Sequence, residues 1–73
     1  MPHIIVKLWP GRSEGLKKEL ADEIARVVAD KAKVDLGDVS VAIEEVARED
    51  WREEVYEKDI LAKQHMLYKK PEY

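Results

Sequence analysis

Two short runs of mainly β-branched residues flank one long amphipathic segment, and this order restricts the fold more than any other feature of the chain. The first run is HIIVKLW at residues 3–9, and the second is VSVAIEEV at residues 39–46. Residues 14–32 lie between them and carry apolar side chains at helical spacings of three and four. This order predicts a βαβ unit with two parallel strands and a right-handed crossover.

The long segment carries signals for both ends of a helix. Ser13 is a favourable N-cap residue, and Glu14 puts negative charge in the first turn, where the helix dipole favours it. Lysines follow near the carboxyl end, where positive charge is favoured. The apolar stripe expected to face the sheet consists of Leu16, Leu20, Ile24, Val27 and Val28.

The chain from Glu49 onward predicts a second helical segment. We expect Asp50 to cap a helix that begins at Trp51. The apolar residues that follow do not form one stripe, so we expect an interruption near Lys58–Asp59. The predicted fold class is therefore α+β, with a single βαβ domain over residues 1–73 and a helical C-terminal segment.

The size of the chain points to self-association. A chain of 73 residues buries a small core, and such chains usually gain stability from disulfides, metals or a partner. There is no cysteine, and His3 and His65 are too far apart for a local metal motif. One helix covers one face of a two-stranded parallel sheet, whereas such sheets are normally covered on both faces. We expect a homo-oligomer in which another copy extends the sheet; the alternative is a monomer with its tail folded under the sheet.

Charge and hydropathy argue against two classes of partner. The net charge is −3, and charges of both signs are interspersed, so we expect no nucleic-acid partner. The longest apolar run before the helix, Ile4 to Val6, is too short for a membrane span or a signal peptide. We therefore expect no membrane association and a cytoplasmic location.

Two residues, Pro2 and Arg12, are candidates for chemistry. The chain has no phosphate-binding loop, dinucleotide fingerprint, or serine or cysteine nucleophile motif. If Met1 is removed, Pro2 presents a secondary amine at the start of a strand, and an amine can act as a general base. If Met1 is retained, that nitrogen is an amide, and Pro2 is an ordinary strand-edge residue.

Several features together resemble the tautomerase superfamily, and within it the 4-oxalocrotonate tautomerase family. These are Pro2, the first strand, Gly11–Arg12–Ser13, the long helix and the second strand. The spacing from Pro2 to Arg12 is similar to that between the family's amino-terminal proline and its first arginine, and Trp51 follows the second strand where the family has an aromatic residue. The ending YKKPEY resembles the dimeric phenylpyruvate-type branch, whereas Gly11–Arg12–Ser13 resembles the hexameric branch. A homodimer is favoured, and a homohexamer is possible.

The resemblance implies a keto–enol tautomerase that needs no cofactor and acts on a small-molecule 2-oxo acid or its enol. It implies that the Pro2 amine moves the proton and that Arg12 binds the substrate carboxylate. Trp51, with Trp9, would form an apolar wall of the site. Because a fold does not establish a function, the alternative is a non-catalytic oligomerisation or interaction module built on the same unit.

The family's second arginine is replaced by Ser40 in this chain. The resemblance implies that this position contacts substrate, so Ser40 is a candidate binding residue. The lost arginine favours a monocarboxylate, such as an aryl enolpyruvate, over a dicarboxylate. The candidates to replace it are Ser40 itself, His3, a backbone N–H, Arg48 and Arg52.

Overall fold

The computed structural model describes residues 1–73 and contains the βαβ unit. Strand β1 is His3–Leu8, helix α1 is Glu14–Ala32, and strand β2 is Ser40–Glu45. The strands are parallel, with His3 opposite Ser40 and Leu8 opposite Glu45. The α+β prediction is confirmed, although both strands are shorter at their ends than the sequence pattern indicated.

The Gly11–Arg12–Ser13 turn joins β1 to α1. Gly11 has φ 127°, a region that residues with a Cβ rarely adopt. The Ser13 hydroxyl accepts a hydrogen bond from the backbone N–H of Leu16 at 3.1 Å, which confirms Ser13 as the N-cap. The outer two residues of the turn thus have conformational roles, which leaves the Arg12 side chain available for binding.

Helix α1 covers the sheet face that carries the even-numbered residues of β1. Because paired residues of parallel strands point to the same side, Glu45 shares this face with Leu8, and Lys17 of α1 lies 3.4 Å from the Glu45 carboxylate. The predicted apolar stripe is confirmed in part. Leu20, Ile24 and Val28 are half-buried, whereas Leu16 is 50% and Val27 59% exposed.

The C-terminal segment covers part of the opposite sheet face. A π-helix runs over Arg52–Leu61, between short 3₁₀ turns at Arg48–Asp50 and Gln64–Met66. Its residues Val55 and Asp59 lie with Ile5 and Lys7 around one shallow pocket. The Lys7 Nζ donates to the Asp59 carboxylate at 2.5 Å, so strand and helix are joined by an ion pair as well as by apolar contact.

The helical C-terminal segment was predicted, but its details were wrong. Asp50 does not cap the helix, which has no side-chain N-cap hydrogen bond. It also continues through Lys58–Asp59 to Leu61, and the N–H of the C-cap residue Ala62 donates to the carbonyl of Glu57 at 3.1 Å. The prediction assumed α-helical spacing, whereas the i→i+5 bonding of a π-helix groups residues five apart.

One copy of the chain has almost no interior. Val55, 5% exposed, is the only buried residue of the 73. None of the helices combines the length and the apolar composition that crossing a bilayer requires. Large apolar side chains that remain exposed occur on both faces of the sheet and in the tail, and include Ile5, Trp9, Leu16, Val27, Leu36, Leu61 and Met66.

Candidate active site

Pro2, His3 and Ser40 form one end of the sheet, which we call the amino-terminal edge. The Pro2 carbonyl accepts a hydrogen bond from the Ser40 N–H at 3.2 Å, so strand pairing fixes the backbone of Pro2. The His3 Nδ1 and the Ser40 hydroxyl are hydrogen-bonded at 2.6 Å. Pro2 is half-buried, while Met1 projects from the edge and is 95% exposed.

A second candidate region lies at the other end of β1, and we call it the aromatic cleft. It is an open cavity of about 450 Å³. Its walls come from the end of β1, the turn before α1, the start of the π-helix and the tail. The lining residues are Lys7, Leu8, Trp9, Arg12, Trp51 and Tyr73.

Two indoles and a guanidinium define the inner wall of the aromatic cleft. The Trp9 and Trp51 rings meet edge to face, with centroids 6.3 Å apart and an interplanar angle of 83°. Arg12 Nη1 donates to the backbone carbonyl of Trp9 at 3.1 Å, which holds the guanidinium beside the cleft. Arg48 lies over the Trp9 ring, 4.4 Å from its centroid, and occupies one face of that ring.

Tyr73 closes the cleft from the tail. Its hydroxyl accepts a hydrogen bond from Trp51 Nε1 at 3.2 Å. Its ring packs on Tyr56 of the π-helix, with centroids 5.8 Å apart and a tilt of 40°. Sequence reasoning missed Tyr73, because a contact between residues 22 apart depends on the path of the tail, which no local pattern specifies.

The charges of the cleft suit an anion. Arg12 and Lys7 both line it, and no Asp or Glu side chain does. The hydrogen bond that Lys7 donates to Asp59 is the largest cause that raises the pKa of Lys7 above 10.5, and the charge of Asp59 adds to it. Lys7 is therefore a persistent cation, although Asp59 holds its ammonium group. No group of three or more His, Cys, Asp or Glu is arranged to bind a metal ion.

The four residues singled out in the sequence fall into two pairs within one copy. Pro2 and Ser40 lie at the amino-terminal edge, and Arg12 and Trp51 lie at the aromatic cleft. A strand advances ~3.3 Å per residue, so Pro2 and Trp9 are roughly 20 Å apart. The Arg12 guanidinium is bound at Trp9 and cannot reach the Pro2 nitrogen of its own chain.

Comparison with known proteins connects this geometry to one family. The family model described as "Tautomerase enzyme" matches residues 2–56, a range that begins at Pro2 and includes β1, α1, β2 and Trp51. The chain belongs to the tautomerase family. The resemblance noted in the sequence is thereby confirmed, and the chain has a tautomerase-type, isomerase function.

Relatives of this tautomerase support the assignment over its full length. A "Probable tautomerase" of Xylella fastidiosa is 48% identical over all 73 residues, which cover 89% of that protein. "Tautomerase PptA" of Cronobacter sakazakii is 38% identical over the whole chain and 97% of its own length. A crystal structure of a 4-oxalocrotonate tautomerase homologue superposes with a TM-score of 0.65 at 27% identity, over 70% of this chain and 81% of that one.

Proposed function

We propose that this tautomerase is a cytoplasmic, cofactor-free enzyme that interconverts the keto and enol forms of a 2-oxo acid, with the Pro2 amine as general base and acid. The observation that carries the proposal is the arrangement of Met1 and Pro2 at the amino-terminal edge. The family match begins at Pro2, strand pairing holds the Pro2 carbonyl, and Met1 makes little contact with the rest of the chain. Removal of Met1 frees a secondary amine whose position is already fixed.

The proposed base needs a lowered pKa. An ordinary α-amino group titrates at roughly 7.7–8.0, and a prolyl amine is intrinsically more basic. Burial disfavours the ammonium form, and a neighbouring cation does the same, so both lower the pKa. Pro2 is only half-buried within one copy and Arg12 lies at the opposite end of β1, so one copy alone provides neither effect in full.

We propose that the site is completed by a second copy, whose Arg12 and Trp51 approach the Pro2 of the first. A small enol acid cannot bridge the roughly 20 Å between Pro2 and the cleft of one chain. The exposed apolar surface supports association, because a chain with one buried residue has too little core to fold alone. A dimer is the smallest assembly that meets this need, and a hexamer meets it as well.

In the proposed mechanism, Arg12 pairs with the substrate carboxylate through its planar guanidinium, and Trp51 packs on the substituent at C3. The Pro2 nitrogen takes the proton of the enol hydroxyl, and its ammonium form returns a proton to C3. Ser40, hydrogen-bonded to His3 beside Pro2, replaces the family's second arginine as a hydrogen-bond partner for the oxygen at C2. The fixed proline ring limits the orientation lost on reaching the transition state.

Amino-terminal mass analysis followed by an assay of phenylenolpyruvate ketonisation tests the proposal. We expect the purified protein to lack Met1 and to accelerate ketonisation. Protein that lacks Met1 but is inactive on every 2-oxo acid enol would instead support a non-catalytic interaction module.

Subunit mixing tests the shared site. Pro2→Ala and Arg12→Ala variants are assayed separately and after unfolding and refolding together. If Pro2 and Arg12 act from different copies, the mixed oligomer contains intact sites and recovers activity. No recovery, with mixed oligomers demonstrated by mass, would show that both residues act from one chain.

A further inference from the structure

Tyr73 is the one residue of the aromatic cleft that lies outside the matched family region, which ends at residue 56. It is anchored from two directions. Its ring packs on Tyr56, and its hydroxyl accepts the indole N–H of Trp51. It therefore links the tail of the chain to the ring that the proposed mechanism uses as a substrate wall.

The Trp51 ring has few other constraints on its orientation. Its aromatic contact with Trp9 is edge to face, an arrangement worth about 1 kcal/mol that tolerates rotation of either ring. An indole has a single N–H donor, so a hydrogen bond from it selects one orientation of the ring. The bond to Tyr73 makes that selection, and it keeps Trp51 from turning into the cavity between itself and Arg12.

We propose that Tyr73 is a positioning residue that gives this tautomerase its preference for substrates with an aromatic substituent. By holding Trp51 edge to face with Trp9, it preserves one aromatic wall of the cleft with the Arg12 guanidinium at one side. A planar substituent packs on this wall, and the carboxylate of the same substrate reaches the cation. The aromatic cleft therefore selects an aryl-substituted 2-oxo acid enol over an alkyl one. This inference rests on the proposed function.

Tyr73→Phe tests the hydrogen bond while keeping the aromatic ring. One hydrogen bond contributes about 1 kcal/mol, so we expect KM for phenylenolpyruvate to rise about fivefold. KM for enolpyruvate, which has no ring, should be unchanged, and kcat should stay within about twofold for both, because Tyr73 touches no reacting atom. Tyr73→Ala also removes the wall, and its KM for the aryl substrate should rise about tenfold or more.

Tyr68→Phe is the matched control, because it also removes one tyrosine hydroxyl, but from a residue that is fully exposed. Tyr68→Phe should leave KM and kcat for both substrates unchanged. The indole N–H resonance of Trp51, assigned by its absence in Trp51→Phe, supplies a readout that general destabilisation does not mimic. It should shift in Tyr73→Phe and stay in place in Tyr68→Phe, while the Trp9 resonance is unchanged in both.

A binding measurement separates failure of this inference from failure of the proposed function. Wild-type protein should bind 3-phenylpropanoate, an unreactive aryl acid, more tightly than propanoate, and Tyr73→Phe should reduce that difference. If the aryl preference survives in Tyr73→Phe, or if the Trp51 resonance does not move, the role of Tyr73 is wrong even in an active enzyme. If the wild type prefers the aryl acid but turns over no enol, the proposed function fails, while the aryl preference of the aromatic cleft stands.

Discussion

The two ends of β1 are built in different ways. At the amino-terminal edge, the position of Pro2 depends on backbone pairing with Ser40, and few side chains contribute. At the aromatic cleft, by contrast, side chains from four segments meet, and the contacts between Trp9, Trp51 and Tyr73 determine the shape. The edge therefore tolerates substitution of its neighbours, whereas the cleft depends on the tail. This contrast suits the proposed roles of the two regions, a base whose position must be constant and a binding surface that can vary.

The largest effect should come from the edge. Pro2→Ala replaces the restricted secondary amine with a flexible primary amine, and we expect kcat to fall by about 100-fold or more in steady-state ketonisation assays. The pairing of the backbone should persist, so the oligomer measured by sedimentation should be unchanged. A variant that instead loses its assembly would show that Pro2 is a structural residue.

A large effect on the cleft should come from the only buried side chain. Val55 packs the π-helix against the sheet, and Val55→Ala should lower the free energy of unfolding by about 2 kcal/mol in denaturant titrations at fixed protein concentration. The π-helix follows directly on Trp51, so the Trp51 resonance should broaden or shift. The His3 resonances at the edge should not change. Equal changes at both ends would mean that the two regions form one cooperative unit and that the comparison is wrong.

The part of the fold nearest the edge is also the part that the sequence predicts well. The residues of β1 and β2 alternate, and α1 has a cap and a stripe, so local patterns specify the βαβ unit. The tail was predicted as helical, but with α-helical spacing. Lys58–Asp59 was interpreted as an interruption because the apolar residues of the tail do not form one α-helical stripe, whereas the π-helix continues through both residues.

The roles of the candidate site residues stay predictions. The resemblance to the family pointed to Pro2, Arg12, Trp51 and Ser40, and the structure places two of them at the edge and two at the cleft. Their separation into two regions was not foreseen, since it follows from the length of β1 and not from the residue types. Tyr73 belongs to the YKKPEY ending noted in the sequence, but no local pattern indicated its contact with Trp51.

A moderate effect is expected for the cation of the cleft. Hydrogen bonds to charged groups contribute about 1.5–3 kcal/mol, so Arg12→Ala should raise KM for carboxylate substrates about tenfold or more. Arg12→Lys should restore only part of the loss, because an ammonium group cannot pair with both carboxylate oxygens. The control is Arg26→Ala, which removes an exposed arginine of α1 that makes no ion pair. An unchanged KM in Arg12→Ala would remove the aromatic cleft from the active site.

The smallest effect should appear in the pH dependence of the tail. The Asp59 hydrogen bond raises the pKa of Lys7 above 10.5, the ordinary value of a lysine, so protonated Lys7 stabilises the folded state. This contribution is complete below 10.5 and is lost as the pH rises through the higher pKa of the folded protein. The melting temperature should therefore fall above pH 10.5, and the fall should be shallower in Asp59→Asn. All other titratable groups are the same in both proteins, so their effect cancels in the comparison.

Glu14→Gln is the control that distinguishes an effect on the tail from an effect on the rest of the fold in that measurement. The hydrogen bond between Glu14 and Lys17 of α1 is the largest cause that raises the pKa of Lys17. Glu14→Gln should therefore also make the fall in melting temperature above pH 10.5 shallower, by a similar amount. Trp51 fluorescence should change as the pH rises and the Lys7–Asp59 pair is lost, because this pair joins the sheet to the π-helix beside the cleft. Only Asp59→Asn should remove that pH-dependent change. Its loss in Glu14→Gln as well would mean that α1 also supports the cleft, and the two ends of β1 would then not be independent.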